Sequence, residues 1–180
     1  DLVVQWQQTA EDNRADLSNA DLTNAYLHHA DLSNADLTNA YLGYANLHDA
    51  DLNNANLTGA DLTNADLTGA NLLYADLTGA NLLYADLTGA DLTDAGLSHA
   101  NLTGADLDYA NLIFADLTGA DLTDADLTGA NLDYVRGMNL LGCPAYLPTD
   151  WQCLQNNLVG PYASLYYADL SNADLSGADL

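Results

Sequence analysis

The chain predicts an all-β solenoid, and three observations carry that expectation. Alanine stands at every fifth position from Ala15 to Ala130 without a miss. A leucine follows each alanine by two residues, from Leu17 to Leu132, which makes 24 unbroken pentapeptides. The remaining two positions of each unit are mostly Thr or Ser followed by Gly, Asn, Asp or an aromatic residue. A period of five suits neither regular element: on a helix the apolar pair would drift round every side, and on a straight strand each copy would land on the opposite face. The chain must therefore turn once per repeat.

Within one unit, such as Ala60, Asp61, Leu62, Thr63 and Asn64, the Ala and Leu are two apart. A short extended piece points both inward and the Asp outward. The last two residues are types that tolerate tight turns and left-handed backbone, so they form the corners. Leu17, Leu77 and Leu132 thus belong to one apolar column that each turn completes only by stacking on its neighbours.

The motif A(D/N)LxG, seen in Ala65 to Gly69 and Ala75 to Gly79, resembles the pentapeptide repeat family, cyanobacterial members included. The resemblance covers roughly three quarters of the chain. It implies a right-handed quadrilateral β-helix with four pentapeptides per square coil. With that value, residues 15–134 make six continuous coils. With the later repeats the rod is about 34 Å long at the usual inter-strand spacing.

The rest of the chain differs in kind, although length and composition fit a single domain, 1–180. Residues 1–14 carry Leu2, Val3, Val4, Trp6 and Ala10 among polar residues, which predicts a short helical cap over the first coil. After Tyr134 the pattern fails, with Val135, Arg136 and Gly137 in place of Ala, Asp and Leu. Residues 135–162 read as an excursion in which Thr149 or Asp150 caps a helix through Trp151, Cys153, Leu154 and Leu158. Repeats resume over 163–180 with Leu165, Leu170, Leu175 and Leu180 in a shifted phase. The open C-terminal end could serve as a homodimer surface.

Cys143 and Cys153, the only cysteines, both fall in the excursion. The expected disulfide would pin the excursion, the alternative being two reduced thiols. The spacing is not that of a metal site. An oxidised pair implies export to a periplasm or thylakoid lumen, a reduced pair the cytoplasm. The chain begins at Asp1 without Met or a basic, apolar leader, so the expectation is a leader either removed or never present.

The net charge of −24 includes only two basic fixed charges, Arg14 and Arg136. That composition argues against direct binding to nucleic acid or anionic lipid, both of which need Lys and Arg clusters. No apolar run approaches a membrane span. Catalytic signatures of the GxSxG, HExxH and GxxxxGK types are absent, and the repeat aspartates single out no carboxylate pair. The expectation is therefore no enzyme and no cofactor.

Two surface clusters stand out. His28 and His48, twenty residues apart beside His29 and Asp49, are weak candidates for a surface metal, since corners accept any polar residue. Large apolar pairs replace Thr-Gly at Leu73 with Tyr74, Leu83 with Tyr84, and Ile113 with Phe114. Stacking by 20 places Tyr74, Asp94, Phe114 and Tyr134 on one edge and Tyr44 and Tyr84 on another. Tyr74, Leu83, Tyr84, Ile113 and Phe114 are the candidate partner-binding residues, although the same residues could simply pack along their ladders.

The expected function is a scaffold that presents a rigid acidic rod to a protein partner. A second reading follows from the resemblance: some family members resemble duplex DNA in size and charge and bind type II topoisomerases such as DNA gyrase. The repeat segments carry 22 Asp, roughly one charge per 1.5 Å, against about 1.7 Å in duplex DNA. Those members are typically dimers joined through an apolar C-terminal coil, whereas this chain has a Cys-bearing excursion there. Acidity also follows from the repeat itself whatever the task.

Overall fold

The computed structural model describes residues 14–171. Parallel bridges join each residue following an alanine to the one 20 positions on, from Asp16 with Asp36 through Asn111 with Asn131. Four pentapeptides therefore close one coil, and the coils stack with four faces. We number the faces by their first leucine: Leu17 on the first, Leu22 on the second, Leu27 on the third and Leu32 on the fourth.

Each unit repeats one hydrogen-bond scheme. The Asp36 amide donates to Ala15 carbonyl at 2.8 Å and the Leu37 amide to Asn56 carbonyl at 2.7 Å, one bond to each neighbouring coil. The Asn39 amide donates onward to Thr58 carbonyl at 3.0 Å, and Ala40 closes the corner on Leu37 carbonyl at 3.0 Å. Asn39 has φ of 53°, the left-handed value that a type II turn requires at its third residue. This explains the Gly, Asn or Asp that usually ends each unit.

Leu17 to Leu132 form the expected column, and from Leu32 to Leu127 its leucines are at most 1% exposed. Leu27 departs from the expectation by being only half-buried, as are Ala15, Ala20, Ala25 and Ala30. All five lie in the first described coil, which has a neighbour on one side within the described residues. Full burial of a leucine stabilises by about 1.5–3 kcal/mol, so an inner coil gains more from its four leucines than an end coil. The proposed helical cap over 1–14 lies outside the described residues, apart from Arg14.

The segment 135–162 corrects the sequence reading twice. First, its beginning is not an excursion, because Arg136 bridges Asp116, Gly142 bridges Asp121 and Tyr146 bridges Asp126. A seventh coil thus continues on three faces, with the unit before Gly142 one residue longer and the unit after it one residue shorter than five. Second, the helix expected through Trp151 is a β-hairpin of β1 (Gln152–Leu154) and β2 (Asn157–Val159), with Cys153 opposite Leu158.

The physical reason for the hairpin is in its loop and its partners. Gln155 and Asn156 both take positive φ, 49° and 59°, the signature of a two-residue hairpin turn that Asn tolerates well. Asp150 is likewise left-handed at 69°, a geometry that cannot start a helix. The Asn157 side chain is buried and donates to Gln155 carbonyl at 2.8 Å and to Leu154 and Asp169 carbonyls at 3.3 Å. An isolated helix of about ten residues is marginal in water, whereas β2 gains ladder bonds to the rod. Leu158 donates to Gly137 carbonyl at 2.7 Å, and Leu140 to Asn156 carbonyl at 2.9 Å. Leu158 and Val159 are buried, so β2 extends the column past the seventh coil.

Beyond the hairpin the chain rejoins the rod. The Tyr134 amide donates to Tyr162 carbonyl at 3.1 Å, and the Ser164 amide to Val135 carbonyl at 3.0 Å. The turn pattern returns, with Ala168 donating to Leu165 carbonyl at 3.0 Å, and Leu165 and Leu170 are half-buried. Leu175, Leu180 and most of the proposed dimer end lie outside the described residues. Among the described residues no helix is long and apolar enough to cross a membrane.

Candidate functional site

The repeat aspartates do more than face water. Asp36 Oδ1 accepts the Thr38 amide at 3.1 Å and the Thr38 hydroxyl at 2.6 Å, and Asp121 accepts both from Thr123 at 3.0 and 2.6 Å. Each such Asx turn fixes the corner that follows it. The hydroxyl and amide of the following Ser or Thr hold Asp16, Asp21, Asp31 and Asp169 below the ordinary carboxylate value. Burial pushes Asp116 up, but Thr118 and the Arg136 guanidinium together leave it lowered.

The four faces differ electrostatically. On the second and fourth faces Asn side chains separate the carboxylates: Asn71 donates to Asp51 at 3.0 Å and Asn81 to Asp61 at 3.2 Å. The first face carries both arginine pairs, Arg14 with Asp36 at 3.4 Å and Arg136 with Asp116 at 3.0 Å. The third face runs Asp66, Asp86, Asp106 and Asp126 without interruption.

The corners carry the aromatic residues, and the candidates among them are in left-handed backbone. Tyr74, Tyr84, Phe114 and Tyr134 have φ of 58°, 56°, 61° and 60°. That conformation costs a non-glycine residue about 1–2 kcal/mol, so Gly or Asn would be easier at each position. Every corner takes this backbone, so what sets these positions apart is the aromatic residue and not the conformation.

Only some of the candidates meet. Phe114 stacks on Tyr134 with centroids 4.9 Å apart and planes 13° apart, and Tyr162 follows Tyr134 at 5.7 Å. Tyr74 lies two coils before Phe114 with Asp94 between them, and Tyr84 is separated from Tyr44 by Asn64. Leu83 and Ile113 are half-buried. The five residues therefore do not form one patch; Phe114 instead joins Tyr134 and Tyr162. These three rings, with Asp94, Asp116 and Arg136, line an open groove of about 600 Å³. A spacing of 20 misses Tyr162 because it reaches this edge 28 residues after Tyr134, a distance set by the hairpin.

At the other end of the rod, His48 Nε2 lies 3.2 Å and His29 Nδ1 3.8 Å from Asp49 Oδ2. The His28 ring centroid is 5.6 Å from that of His29, and the His29 centroid is 6.0 Å from that of His48. Among the described residues no group of three or more His, Cys, Asp or Glu is arranged to hold a metal ion. Cys143 and Cys153 form a disulfide with Cα atoms 6.0 Å apart, which ties β1 to the seventh coil.

Comparison with known proteins agrees with this architecture. The model of the family described as pentapeptide repeats matches residues 13–39, 45–82, 70–108, 85–124, 105–136 and 163–180. No curated protein matches the chain. Among solved structures, the chain is similar to a pentapeptide repeat protein of the Arabidopsis thaliana thylakoid lumen, at 33% identity and a TM-score of 0.49, over 50% of this chain and 63% of that one. The chain thus spans less than two thirds of that protein's length. It is also similar to HetL of the cyanobacterium Nostoc, a pentapeptide repeat protein involved in heterocyst differentiation regulation, at 34% identity and a TM-score of 0.38, over 71% of each chain. QnrB1, a plasmid-mediated fluoroquinolone resistance protein, shares the fold at 20% identity and a TM-score of 0.55, over 97% of this chain and 84% of that one. With an Ala-Leu column, a 20-residue coil and a family model matched over most of its length, the chain belongs to the pentapeptide repeat family.

Proposed function

We propose that the chain is a non-enzymatic interaction scaffold, a rigid acidic rod that offers the Phe114 edge to a protein partner. The observation that carries this reading is the exposed run of Phe114, Tyr134 and Tyr162, all three in left-handed backbone that is unfavourable for an aromatic residue. Nothing in the corner geometry needs three consecutive aromatic residues, since Gly and Asn fill the same position elsewhere. The disulfide supports assembly in an oxidising compartment such as a periplasm or thylakoid lumen. The test is capture of a partner from such a compartment, with Phe114→Asn and Tyr134→Asn as the variants. Both substitutions place a favourable residue in left-handed backbone, so the rod stays folded. Loss of the partner from both variants supports the reading, and retention by both overturns it.

A second reading, mimicry of DNA toward a type II topoisomerase such as DNA gyrase, is favoured by the uninterrupted Asp66, Asp86, Asp106 and Asp126 ladder. A gyrase supercoiling assay separates the two. Asn keeps the turn lock, as Asn56 accepts the Thr58 amide at 3.1 Å and hydroxyl at 2.6 Å. Changing the four aspartates to Asn therefore removes charge and leaves the fold. Inhibition of gyrase by the parent and not by this variant would establish mimicry.

A further inference from the structure

We infer that the Phe114 edge seats an arginine side chain of a basic partner segment; this rests on the interaction-scaffold reading and names the chemistry of its partner. Three features converge on that occupant. Phe114, Tyr134 and Tyr162 are 53%, 48% and 63% exposed on successive layers, and Tyr134 covers one face of Phe114, which leaves the Phe114 face on the side of Asp94, one coil before, to line the groove. The isolated corner tyrosines offer no such run: Tyr84 and Tyr109 each lie against a glycine of the next coil.

The charge around the stack is negative and incompletely matched. Asp94 occupies the same corner one coil before Phe114 and makes no ion pair among the described residues. Arg136, at the groove's side, is already held by Asp116 at 3.0 Å. The chain's net charge is −24 with two cationic side chains, each with an aspartate partner. An incoming cation therefore meets the Phe114 face that Tyr134 leaves uncovered and the unpaired Asp94 carboxylate together, the combination that holds a guanidinium by stacking and by forked hydrogen bonding.

The other occupants fit less well. A second copy of the chain would bring another −24 to an edge that already carries Asp94 and Asp116. A neutral apolar segment would leave Asp94 unpaired beside a dry contact, which is unfavourable. Lysine lacks the planar fork that matches a carboxylate while stacking on a ring.

The single phenylalanine of the chain is Phe114, so carbon-13 phenylalanine gives one reporter at the site. The experiment titrates the full chain, disulfide intact, with a fluorescein-labelled Gly-Arg-Gly-Arg-Gly peptide and its citrulline counterpart. It follows the Phe114 ring signals and the peptide anisotropy at about 0.15 M ionic strength. The expected result is a saturating Phe114 shift with the arginine peptide and weaker binding of the citrulline peptide. Anisotropy should then report about two- to fivefold weaker binding for each of Asp94→Asn and Phe114→Asn.

Equal binding of the two peptides overturns the proposal, as does absence of any Phe114 shift. Arginine-peptide affinity unchanged in both variants means diffuse attraction to the acidic rod and also overturns it. A Phe114 shift that follows protein concentration without peptide identifies a second copy as the occupant and overturns it too. The two levels stay separable. A partner whose capture needs Phe114 and Tyr134 but neither Asp94 nor an arginine of its own removes the arginine seat and leaves the scaffold reading standing. Capture that needs neither ring removes both.

Discussion

The ring of Tyr84 occupies the space that a Cβ on Gly104 would need, one coil further along the same corner. Tyr109 stands in the same relation to Gly129, and His99 to Gly119. Side chains at these corners lean toward the next coil, so a bulky residue constrains its neighbour 20 positions on. At Phe114 that neighbour is Tyr134, and the result is a stack instead of a ring on glycine.

Gly104→Ala should therefore cost more than Gly79→Ala. Both glycines have positive φ, 64° and 65°, so each alanine suffers the left-handed penalty of about 1–2 kcal/mol. A Cβ at Gly79 meets nothing within 4 Å, whereas one at Gly104 displaces the Tyr84 ring. An additional loss of roughly 1 kcal/mol is expected for Gly104→Ala from overpacking. Denaturant titration of the two variants checks this, and equal losses would contradict it.

Reduction of Cys143–Cys153 should loosen the C-terminal segment without melting the rod. The ten-residue separation implies a contribution of about 2–3 kcal/mol from the closed loop. Neighbouring coils stabilise one another independently of the clip. Hydrogen exchange after reduction should accelerate at the Leu158 and Ser164 amides, which donate to Gly137 and Val135, and stay unchanged at the Leu77 and Leu97 amides. Uniform acceleration along the chain would show that the clip holds the whole column.

Acid should weaken the corners through their aspartates. The Ser33 hydroxyl and amide hold Asp31 below the ordinary value, so its folded value lies below its unfolded one. The stabilisation is then complete at neutral pH and is lost as the pH falls through the ordinary value toward the folded one. Ser33→Ala should lower stability at neutral pH and flatten its decline between about pH 5 and pH 3. Parallel pH curves for parent and variant would refute this assignment.

The Leu77 column was legible because a strict five-residue period leaves no other way to bury an alanine and a leucine in every unit. The same spacing hid the second role of Asp36. Read alone it is an outward acid, and its bond to Thr38 becomes visible only once the corner has a conformation. The helix expected from Asp150 to Leu158 failed for a different reason. Its apolar spacing fits a helix, but the competing bonds from Leu158 to Gly137 and from Leu140 to Asn156 are distant in sequence. Tyr162 followed that error, since its place over Tyr134 depends on how much chain the hairpin takes up. Arg136 likewise read as a broken motif, although its backbone continues the first-face ladder over Asp116.

Because Asp16 aligns with Asp36 and so on up the first face, position around the rod is a remainder after division by twenty. Inserting four units would lengthen the molecule by one layer and leave every edge pointing where it did. Inserting one unit would swing everything beyond it by a quarter turn, carrying the Phe114 edge from one side of the rod to the next. The one-residue slip at Gly142 is made good at once, because the unit that follows is one residue shorter and Tyr146 returns to its place over Asp126. Reach and bearing can thus vary separately in this architecture, one by whole layers and the other by single units.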